Sequence, residues 1–552
     1  MSTSNRLQSG GSLLVEQLIE NKTDLAFFVP GESYLDVLNS MYDKKNTLKL
    51  INARHEAGAA NMAEAYGKLT GKPGIAFVTR GPGACHASIG VHIASQDSTP
   101  MILFIGQVST DSMEREAFQE IDYKQMFNPI AKWVTQIDKV ERIPEIISRA
   151  YRTALSGRPG PVVISLPEDI LSEKTRTRPL PSFKQEKSDI RVESIEKLRN
   201  ILLASKKPLL LLGGGSWTDK SVVSICEFAE ANNLPIATSF RRLDCVTLKN
   251  KNFVGDFGTS GPVSLIRNMD EVDTLFVIGA RLGEMTTQGY KMLRPPILSK
   301  KLIHVHISEE EIGKVFTPTL GIKASPAEFS ERLRDEKLHS SSAHREWLFK
   351  LRQEYLLDKN PGPYNTDLDL GKAFSSLRDV VSEDCIYTLD AGNHSGWPQR
   401  FLDFGRPSRL VGSTCGSMGY GIPAAIAASI IFPNKLVMGF VGDGGFMMSG
   451  LELGTAIQHH AKPVIFIFNN QNYGTIRMHQ EKEYPNRVFG TDLVNPDFVN
   501  LARSFGAFAI KVKKTNEFLP AVKKAINSQK LSVIELIVDK RQLSTRINLN
   551  DL

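Results

Sequence analysis

Residues 441–474 constrain this chain more than any other part of its sequence. They begin with the glycine-rich turn Gly442-Asp443-Gly444-Gly445, continue through an amphipathic segment and end in an apolar run that closes on Asn469-Asn470. The 27 residues from Asp443 to Asn470 are the span of one strand–helix–strand crossover in a parallel sheet. Hard oxygens such as a carboxylate and an amide suit Mg²⁺, and glycine N–H groups at a helix start suit a phosphate. The stretch therefore indicates a metal-bridged diphosphate site.

This pattern resembles the thiamine-diphosphate signature, and the surrounding sequence is similar to the acetolactate synthase branch of that superfamily. The resemblance implies that Mg²⁺ is bound by the side chains of Asp443 and Asn470 and by the backbone carbonyl of Asn472. It also implies a cofactor site formed by twelve residues: Gly392, Asn393, His394, Gly416, Met418, Asp443, Gly444, Gly445, Asn470, Asn472, Tyr473 and Gly474.

Within this set, the family assigns a carbonyl hydrogen-bond acceptor to the position of Gly416. It assigns an apolar wedge, which keeps the cofactor bent, to the position of Met418. Without the resemblance, His394 fits a structural histidine and Met418 a core methionine equally well. A Gly-Asp-Gly turn and an Asn-Asn strand end also occur in ordinary α/β proteins.

Glu56 is the candidate catalytic residue. It follows an apolar run at residues 48–52 and begins a predicted helix in Arg54-His55-Glu56-Ala57-Gly58-Ala59. The resemblance implies that Glu56 binds N1′ of the thiamine aminopyrimidine and promotes its reactive tautomer. Taken alone, the residue also fits a carboxylate placed at a helix N-terminus by the helix dipole.

The rest of the chain predicts an α/β protein with three doubly wound parallel sheets. Apolar runs bounded by Gly and Pro are typical of buried parallel strands. They occur at residues 25–29, 48–52, 75–79, 101–106, 162–166, 209–212, 236–239, 274–279, 302–307, 386–389, 436–441, 464–469 and 533–538. Polar stretches at residues 171–189 and 331–367 read as linkers. With the resemblance, they delimit a pyrimidine-binding domain (1–180), a central domain (190–335) and a diphosphate-binding domain (365–545).

Composition excludes several other classes of protein. The formal net charge of +7 is small for 552 residues, and Lys and Arg are spread along the chain, which argues against a nucleic-acid partner. The five cysteines are far apart and form no Cys-x-x-Cys pair, so neither a disulfide framework nor a zinc site is expected. We expect no signal peptide at the N-terminus and no membrane association, because no apolar run reaches spanning length. The expected location is cytoplasmic.

The substrate side of the site is less well defined by the sequence. Phe118 and Gln119 resemble family residues that face the reacting centre, with Gln119 in a catalytic role, and Lys132 resembles a lysine near the substrate entrance. Each also fits ordinary surface or core. His86 lies in residues 81–86, a predicted loop on which the family carries a different polar residue, and the paired histidines of simple 2-oxo acid decarboxylases are not evident there.

Two departures from the family concern the acceptor. Ser33, in the turn Pro30-Gly31-Glu32-Ser33, replaces a glycine and offers a hydroxyl to a substrate oxygen. His479 stands where biosynthetic acetolactate synthases have a tryptophan, and Arg477 beside it could bind a carboxylate. Arg477 fits equally well as the partner of Glu481 one helical turn later.

FAD is a further expectation from the resemblance, because acetolactate synthases bind it in the central domain. The turns Gly213-Gly214-Gly215 and Gly279-Ala280-Arg281, each after a predicted strand, resemble the family's FAD-contacting segments. The segment at residues 240–244 differs from the small, apolar loop of the family.

The leading hypothesis is a carboligase that is dependent on thiamine diphosphate and Mg²⁺, of acetolactate synthase type. Pyruvate or another 2-oxo acid would lose CO₂, and the remaining fragment would join a second carbonyl compound. Branched-chain amino acid biosynthesis is the setting that the family implies. A 2-oxo acid decarboxylase or lyase on the same scaffold, and a cofactor-binding paralogue without turnover, remain open. The resemblance also implies a homodimer or homotetramer with its active site between subunits, and allows a regulatory subunit.

Overall fold

The computed structural model describes residues 7–182, 190–338 and 341–551. Its main elements are three six-stranded sheets in which every neighbouring pair of strands is parallel. One sheet lies in each of the three predicted stretches, so the predicted α/β fold is confirmed. Close contacts divide the chain into two compact units, one of residues 1–186, 426–433 and 449–461, the other of residues 187–425, 434–448 and 462–552.

The first unit contains the N-terminal sheet. Its strands are β1 Gln8–Ser9, β2 Leu25–Phe28, β3 Lys49–Asn52, β4 Gly74–Val78, β5 Met101–Gln107, β6 Trp133–Gln136, β7 Pro161–Pro167 and β8 Lys174–Thr175. Its helices are α1 Gly10–Glu20, α2 Leu35–Asp43, α3 Glu56–Thr70, α4 Pro82–Asp97, α5 Tyr123–Phe127, α6 Ile143–Leu155 and α7 Glu168–Ser172. The sheet order is β3-β2-β4-β5-β7-β6, and β1 pairs separately with β8 in antiparallel fashion. The central strands are buried on both faces, as continuous apolar runs require.

The second sheet has the order β11-β10-β9-β12-β13-β14. Its strands are β9 Pro208–Leu212, β10 Ile236–Ser239, β11 Phe253–Phe257, β12 Thr274–Ile278, β13 Lys301–His306 and β14 Leu320–Lys323. The accompanying helices are α8 Val192–Ala204, α9 Asp219–Ala231, α10 Val263–Asn268, α11 Pro326–Leu333 and α12 Ser342–Asp358.

The third sheet has the order β16-β15-β17-β18-β20-β19. Its strands are β15 Ile386–Leu389, β16 Arg409–Gly412, β17 Val437–Gly442, β18 Val464–Asn469, β19 Phe508–Val512 and β20 Ser532–Ile537. The helices of this part are α13 Leu370–Ser375, α14 Gly396–Phe401, α15 Gly421–Ile431, α16 Asp443–Ser449, α17 Leu453–Gln458, α18 Gly474–Glu483, α19 Phe498–Ser504 and α20 Thr515–Asn527. Phe374 packs against Phe440, Phe466, Phe468 and Phe518 in its core.

The predicted linkers are only partly irregular. Almost half of the second one, residues 331–367, is occupied by the 17-residue helix α12, whose Trp347 and Leu351 are buried in the core of the second sheet. The first one, residues 171–189, contributes the end of α7 and strand β8, and its residues 183–189 lie outside the described part of the chain. Among the described helices, none combines the length and the apolar character needed to cross a membrane.

Candidate active site

A cavity of about 340 Å³ lies at the carboxyl ends of β15, β17 and β18. The chain leaves β15 for β16 on one side and returns to β17 on the other, so this is the switch point where open α/β sheets bind ligands. The structure brings all twelve expected cofactor residues to the cavity wall: Gly392, Asn393, His394, Gly416, Met418, Asp443, Gly444, Gly445, Asn470, Asn472, Tyr473 and Gly474. Residues from four separate segments thus line one cavity, and they include Asp443 and Asn470 at the two ends of the predicted crossover.

Asp443 is the carboxylate of this cavity, and it is buried at 2 % exposure. Its Oδ1 accepts the N–H of Gly444 at 2.9 Å, and its Oδ2 accepts the N–H of Gln471 at 2.7 Å and the amide of Asn495 at 2.8 Å. Burial raises the pKa of Asp443, while these hydrogen bonds oppose the rise. Within the described residues no lysine or arginine forms an ion pair with it, so a bound cation is the group that would hold it ionised.

Two further oxygens complete a hard donor set beside Asp443. The Oδ1 of Asn470 accepts the N–H of Asn472 at 3.1 Å, which orients the amide oxygen after β18. The carbonyl of Asn472 accepts the N–H of Gly474 at 2.9 Å and keeps a second lone pair. The side-chain Oδ1 of Asn472 is buried and has no hydrogen-bond partner among the described residues. A carboxylate with neutral oxygens fits Mg²⁺ better than any softer metal ion.

Two glycines of the cavity wall stand where another residue would be unfavourable. A Cβ on Gly444 would lie 2.6 Å from the ring of Tyr473, so only glycine allows the turn after β17 to pass this close to the tyrosine. Gly416 has φ +70°, a conformation that favours glycine, and its missing Cβ would point into open space. Backbone groups at both positions are therefore accessible to a ligand.

Two buried side chains brace the loops that line the cavity. Asp390, directly after β15, accepts the N–H groups of Ala391 (2.7 Å), Gly419 (3.0 Å) and Gly421 (2.9 Å), although burial raises its pKa to about 6. Arg241, from the segment after β10, donates to the carbonyls of Asp390 (2.9 Å) and Ser413 (2.6 Å). The loops after β15 and β16 are thus tied to each other and to the second sheet.

His394 stands in the cavity wall as a neutral imidazole. Burial, aided by the positive charge of Arg241, lowers its pKa to about 3. Its Nε2 is buried without a hydrogen-bond partner in the described part of the chain, and its ring lies 5.3 Å from that of Phe468. The ring also hydrogen-bonds the backbone carbonyl of Phe440, which takes the single proton of a neutral imidazole and leaves Nε2 as an acceptor.

Glu56 is the first residue of α3, as predicted, and lies in the first unit. His55 caps the helix by accepting the N–H of Ala57 on its Nδ1 at 3.1 Å. The carboxylate of Glu56 is 14 % exposed, and its Oε2 lies 2.9 Å from Nδ1 of His86. The predicted loop at residues 81–86 is wrong in this respect, because α4 begins at Pro82 and His86 lies on the helix. Since His55 and His86 come from separate segments, no sequence motif could show that they lie side by side.

The turn before Glu56 is held by a buried carboxylate of the same unit. Glu452, at 2 % exposure, accepts the backbone N–H groups of Arg54 at 3.2 Å and of His55 at 3.0 Å, and the hydroxyl of Thr455 at 2.5 Å. A Cβ on Gly58 would lie only 2.2 Å from its Oε1. The glycine at residue 58 is therefore required by the carboxylate that fixes the start of α3.

The loop that carries Phe118 and Gln119 is ordered by charged side chains. Arg80 donates to the carbonyl of Phe118 at 3.1 Å, and the carboxylate of Glu120 accepts the N–H groups of Glu114 (2.8 Å) and Ala117 (3.2 Å). The Phe118 side chain is 71 % exposed. Gln119 has φ +64° and packs against Gly81.

The remaining predicted substrate residues are engaged within their own units. Ser33 is fully buried, and its hydroxyl bonds Thr79 at 2.9 Å, so it does not offer a free group to a substrate. Lys132 caps α6 by donating to the carbonyls of Thr153 and Ser156 at 2.5 and 2.7 Å, which is a structural role. Arg477 forms an ion pair with Glu481 at 3.2 Å, which is the structural alternative to a substrate contact. His479 is exposed.

The two glycine turns of the second sheet have a packing reason. A Cβ on Gly214 would meet the carbonyl of Gly279 at 2.0 Å, and one on Gly279 would meet the carbonyl of Gly213 at 2.4 Å. Both glycines also have positive φ. The turns after β9 and β12 therefore need glycine in order to pack on each other, whether or not a flavin binds nearby.

Three residues of the site were missed by the sequence reasoning. Arg241 was noted only as a departure from the family, and Glu452 and Asn495 were not singled out. Asn495 bonds both Asp443 and Asn469, yet it precedes Pro496 in a segment that reads as an ordinary turn. All three act on backbone or side-chain atoms distant in sequence, so no local pattern reveals them.

Comparisons with known proteins cover the same three parts of the chain. The family models described as thiamine pyrophosphate enzyme match residues 8–126 (N-terminal TPP binding domain), 195–333 (central domain) and 390–536 (C-terminal TPP binding domain). The chain is 32 % identical to the acetolactate synthase large subunit of Corynebacterium glutamicum, over 96 % of this chain and 87 % of that one. It is 30 % identical to the acetolactate synthase large subunit of Cyanidium caldarium, over 96 % and 93 %.

A third relative, the putative thiamine pyrophosphate-containing protein of Bacillus subtilis, is 29 % identical over 96 % of this chain and 92 % of its own. These similarities extend over all three sheets, and they agree with a cavity whose donors suit a diphosphate and a hard cation. The chain belongs to the thiamine pyrophosphate enzymes and is an acetolactate synthase-like member of that family.

Proposed function

We propose that this enzyme decarboxylates pyruvate or a related 2-oxo acid and joins the remaining fragment to a second carbonyl compound, with thiamine diphosphate anchored by Mg²⁺. The observation that carries the proposal is the convergence of Asp443, Asn470 and Asn472 with the neutral His394 on one cavity. This donor set matches a diphosphate bridged by a hard cation. Thiamine diphosphate supplies the electron sink needed for the loss of carbon dioxide.

The residues of this chain would bind the metal ion and the cofactor and would orient the cofactor's reactive ring. Asp443, Asn470 and the carbonyl of Asn472 would hold Mg²⁺, and the backbone of Gly444 and Gly445 would approach the phosphates. The carbonyl of Gly416 and the side chain of Met418 would position the aminopyrimidine. Glu56 would share a proton with N1′ of that ring, and Gln119 and Phe118 would face the reacting carbon.

The complete site would be assembled from two copies of the chain, as a homodimer or homotetramer. Each copy would give Glu56 to one site and Asp443 to another. Exposed apolar side chains support such a partner surface: Met447 and Met448 on α16 are each 56 % exposed, and Phe118 is 71 % exposed. Light scattering should show at least a dimer, and a catalytically active monomer would contradict this arrangement.

The reaction is tested with purified protein, thiamine diphosphate, Mg²⁺ and pyruvate, with the products identified by mass spectrometry. We expect a product in which a new carbon–carbon bond joins two pyruvate-derived units. The matched control is Glu56→Gln, which should bind the cofactor but form no product. Release of free acetaldehyde instead would show that the enzyme is a simple decarboxylase and not a carboligase. If the protein binds the cofactor but does not consume pyruvate, the substrate must be another 2-oxo acid. His479, which stands where the family has a tryptophan, is then the first residue to test for substrate choice.

FAD and a small partner chain are separate parts of the proposal. Flavin binding by the second sheet rests on the resemblance, since packing already accounts for Gly214 and Gly279. A flavin absorbance band in the purified protein would support FAD binding. Absence of the band even after incubation with FAD would contradict it. Several relatives carry the words large subunit in their names. Co-purification from the native source would show whether this chain also has a smaller partner.

A further inference from the structure

The hydrogen bond between His86 and Glu56 gives α4 a direct hold on the proposed catalytic carboxylate. The Nδ1 of His86 lies 2.9 Å from Oε2 of Glu56, and the imidazole is about half exposed while the carboxylate is 14 % exposed. A carboxylate oxygen accepts, so the proton of a neutral His86 is on Nδ1. The other oxygen, Oε1, faces the side of Gly83, where a Cβ would still be 3.6 Å away.

The ring of His86 is itself held in place. It lies 4.4 Å from the ring of His55, with 31° between the planes. His55 is fixed because its Nδ1 accepts the N–H of Ala57. A chain of contacts therefore runs from the backbone at the start of α3, through two imidazoles, to Oε2 of Glu56.

The three side chains do not form a good metal site, although their donor atoms lie within 4.8 Å of one another. The Nδ1 of His55 already accepts the N–H of Ala57, and the Nδ1 of His86 is already used by Glu56. A zinc ion needs donors that converge on it at tetrahedral angles. The arrangement favours a hydrogen-bonded pair.

We infer that His86 is a positioning residue, which holds Oε2 of Glu56 so that Oε1 is presented to the aminopyrimidine of the cofactor. This inference rests on the proposed function and adds a residue to it. Without the hydrogen bond, the carboxylate must lose rotamer freedom when the cofactor binds, and the cost appears in cofactor affinity. Ordering one such side chain costs enough to change an equilibrium constant by up to about tenfold.

The test compares His86→Leu, which removes the donor, with His86→Asn, whose amide can still donate to Glu56. Calorimetric titration of the full-length apoprotein with thiamine diphosphate at fixed Mg²⁺ should give a Kd raised by about fivefold to tenfold in His86→Leu. The Kd of His86→Asn should remain within about twofold of the wild type. Equal Kd values for the wild type and His86→Leu would overturn the inference.

A second measurement does not depend on the cofactor. Carbodiimide labelling of Glu56 in the apoprotein, followed by peptide mass spectrometry, should be faster in His86→Leu than in the wild type and unchanged in His86→Asn. If the wild type binds no thiamine diphosphate, the proposed function fails, while the labelling rates still report on the pair. Identical labelling in all three proteins would show that His86 does not hold Glu56. Because the His86 side chain is half exposed, neither substitution should unfold the protein. The thermal midpoints of the two variants and the wild type check this.

Discussion

Replacing Glu452 by alanine should loosen the turn that presents Glu56. The substitution leaves the N–H groups of Arg54 and His55 without their acceptor, and both contacts are well formed, at 3.2 and 3.0 Å. Both N–H groups are part-buried, and each donor that loses its partner costs about 1–3 kcal/mol, so the closed form of the turn should lose about 2–6 kcal/mol. The population of the open form rises tenfold for each 1.4 kcal/mol that the closed form loses. The protection of these amides against exchange should therefore fall at least about thirtyfold.

Hydrogen–deuterium exchange of the peptide that spans Arg54 and His55 measures this loss directly. The measurement reports local opening, which suits a chain of several domains better than one global unfolding curve. Misplacement of a catalytic group by about 1 Å can cost about a hundredfold in rate, so kcat/KM should fall by a similar factor. Leu451→Ala, at an exposed neighbour, is the matched control and should change neither quantity.

Gly58→Ala tests the same contact from the other side. The new Cβ would lie 2.2 Å from Oε1 of Glu452, so the carboxylate must move although it is still present. We expect the same gain in exchange at the turn. Unchanged protection in both Glu452→Ala and Gly58→Ala would refute the view that Glu452 fixes the start of α3.

Three further predictions concern separate parts of the structure. Asp443→Asn keeps the size of the side chain but removes the charge, and it should raise the Kd for thiamine diphosphate in the presence of Mg²⁺ by about a hundredfold or more, measured by calorimetry. Burial raises the pKa of Asp256 to about 7 from 3.8, so this carboxyl stabilises the fold only as the neutral acid and its contribution is lost as pH rises from about 4 to 7. Asp256→Asn should therefore gain stability relative to the wild type across that window, by up to about 4 kcal/mol, and parallel pH profiles of the thermal midpoint would contradict the assignment. Lys132→Met should lower stability by about 1 kcal/mol through the lost cap on α6 and leave kcat/KM unchanged, whereas a large loss of activity would restore Lys132 to the substrate path.

The strands that the sequence predicted and those it missed differ in one physical property. All thirteen predicted runs correspond to observed strands, and twelve of them lie inside their sheets, where both sides of the strand are paired and most residues are apolar and buried. The missed parallel strands β6, β11, β14, β16 and β19 all lie at sheet edges. There one side of the strand is unpaired, and residues such as Lys323 and Lys511 interrupt the apolar run. The hydrophobic pattern of an edge strand is therefore weak, and it is hard to distinguish from the pattern of the loops around it.

The site shows a similar division. Asp443 and Asn470 were predicted from sequence because Gly-Asp-Gly and Asn-Asn mark the ends of one crossover, whose geometry is local, whereas loops such as that of Gly416 and Met418 were assigned from the family resemblance. Ser33 and Lys132 were assigned from resemblance alone, and the structure shows that Thr79 and the end of α6 engage them. The bonds from Arg241 to Asp390, from Asn495 to Asp443 and from Arg54 to Glu452 span 149, 52 and 398 residues of chain. Contacts of that range are set by tertiary packing and leave no trace in spacing.

The two hydrogen bonds of Arg241 have a consequence for protein engineering. A single guanidinium from the second sheet holds the carbonyls at the ends of β15 and β16, so the central domain is not an interchangeable module. A chimaera that takes this domain from a relative with a short apolar loop would leave both carbonyls without their donor. Designers who graft domains in this family should transplant the loop and its acceptors together, or expect a scaffold that folds but holds its cofactor loosely.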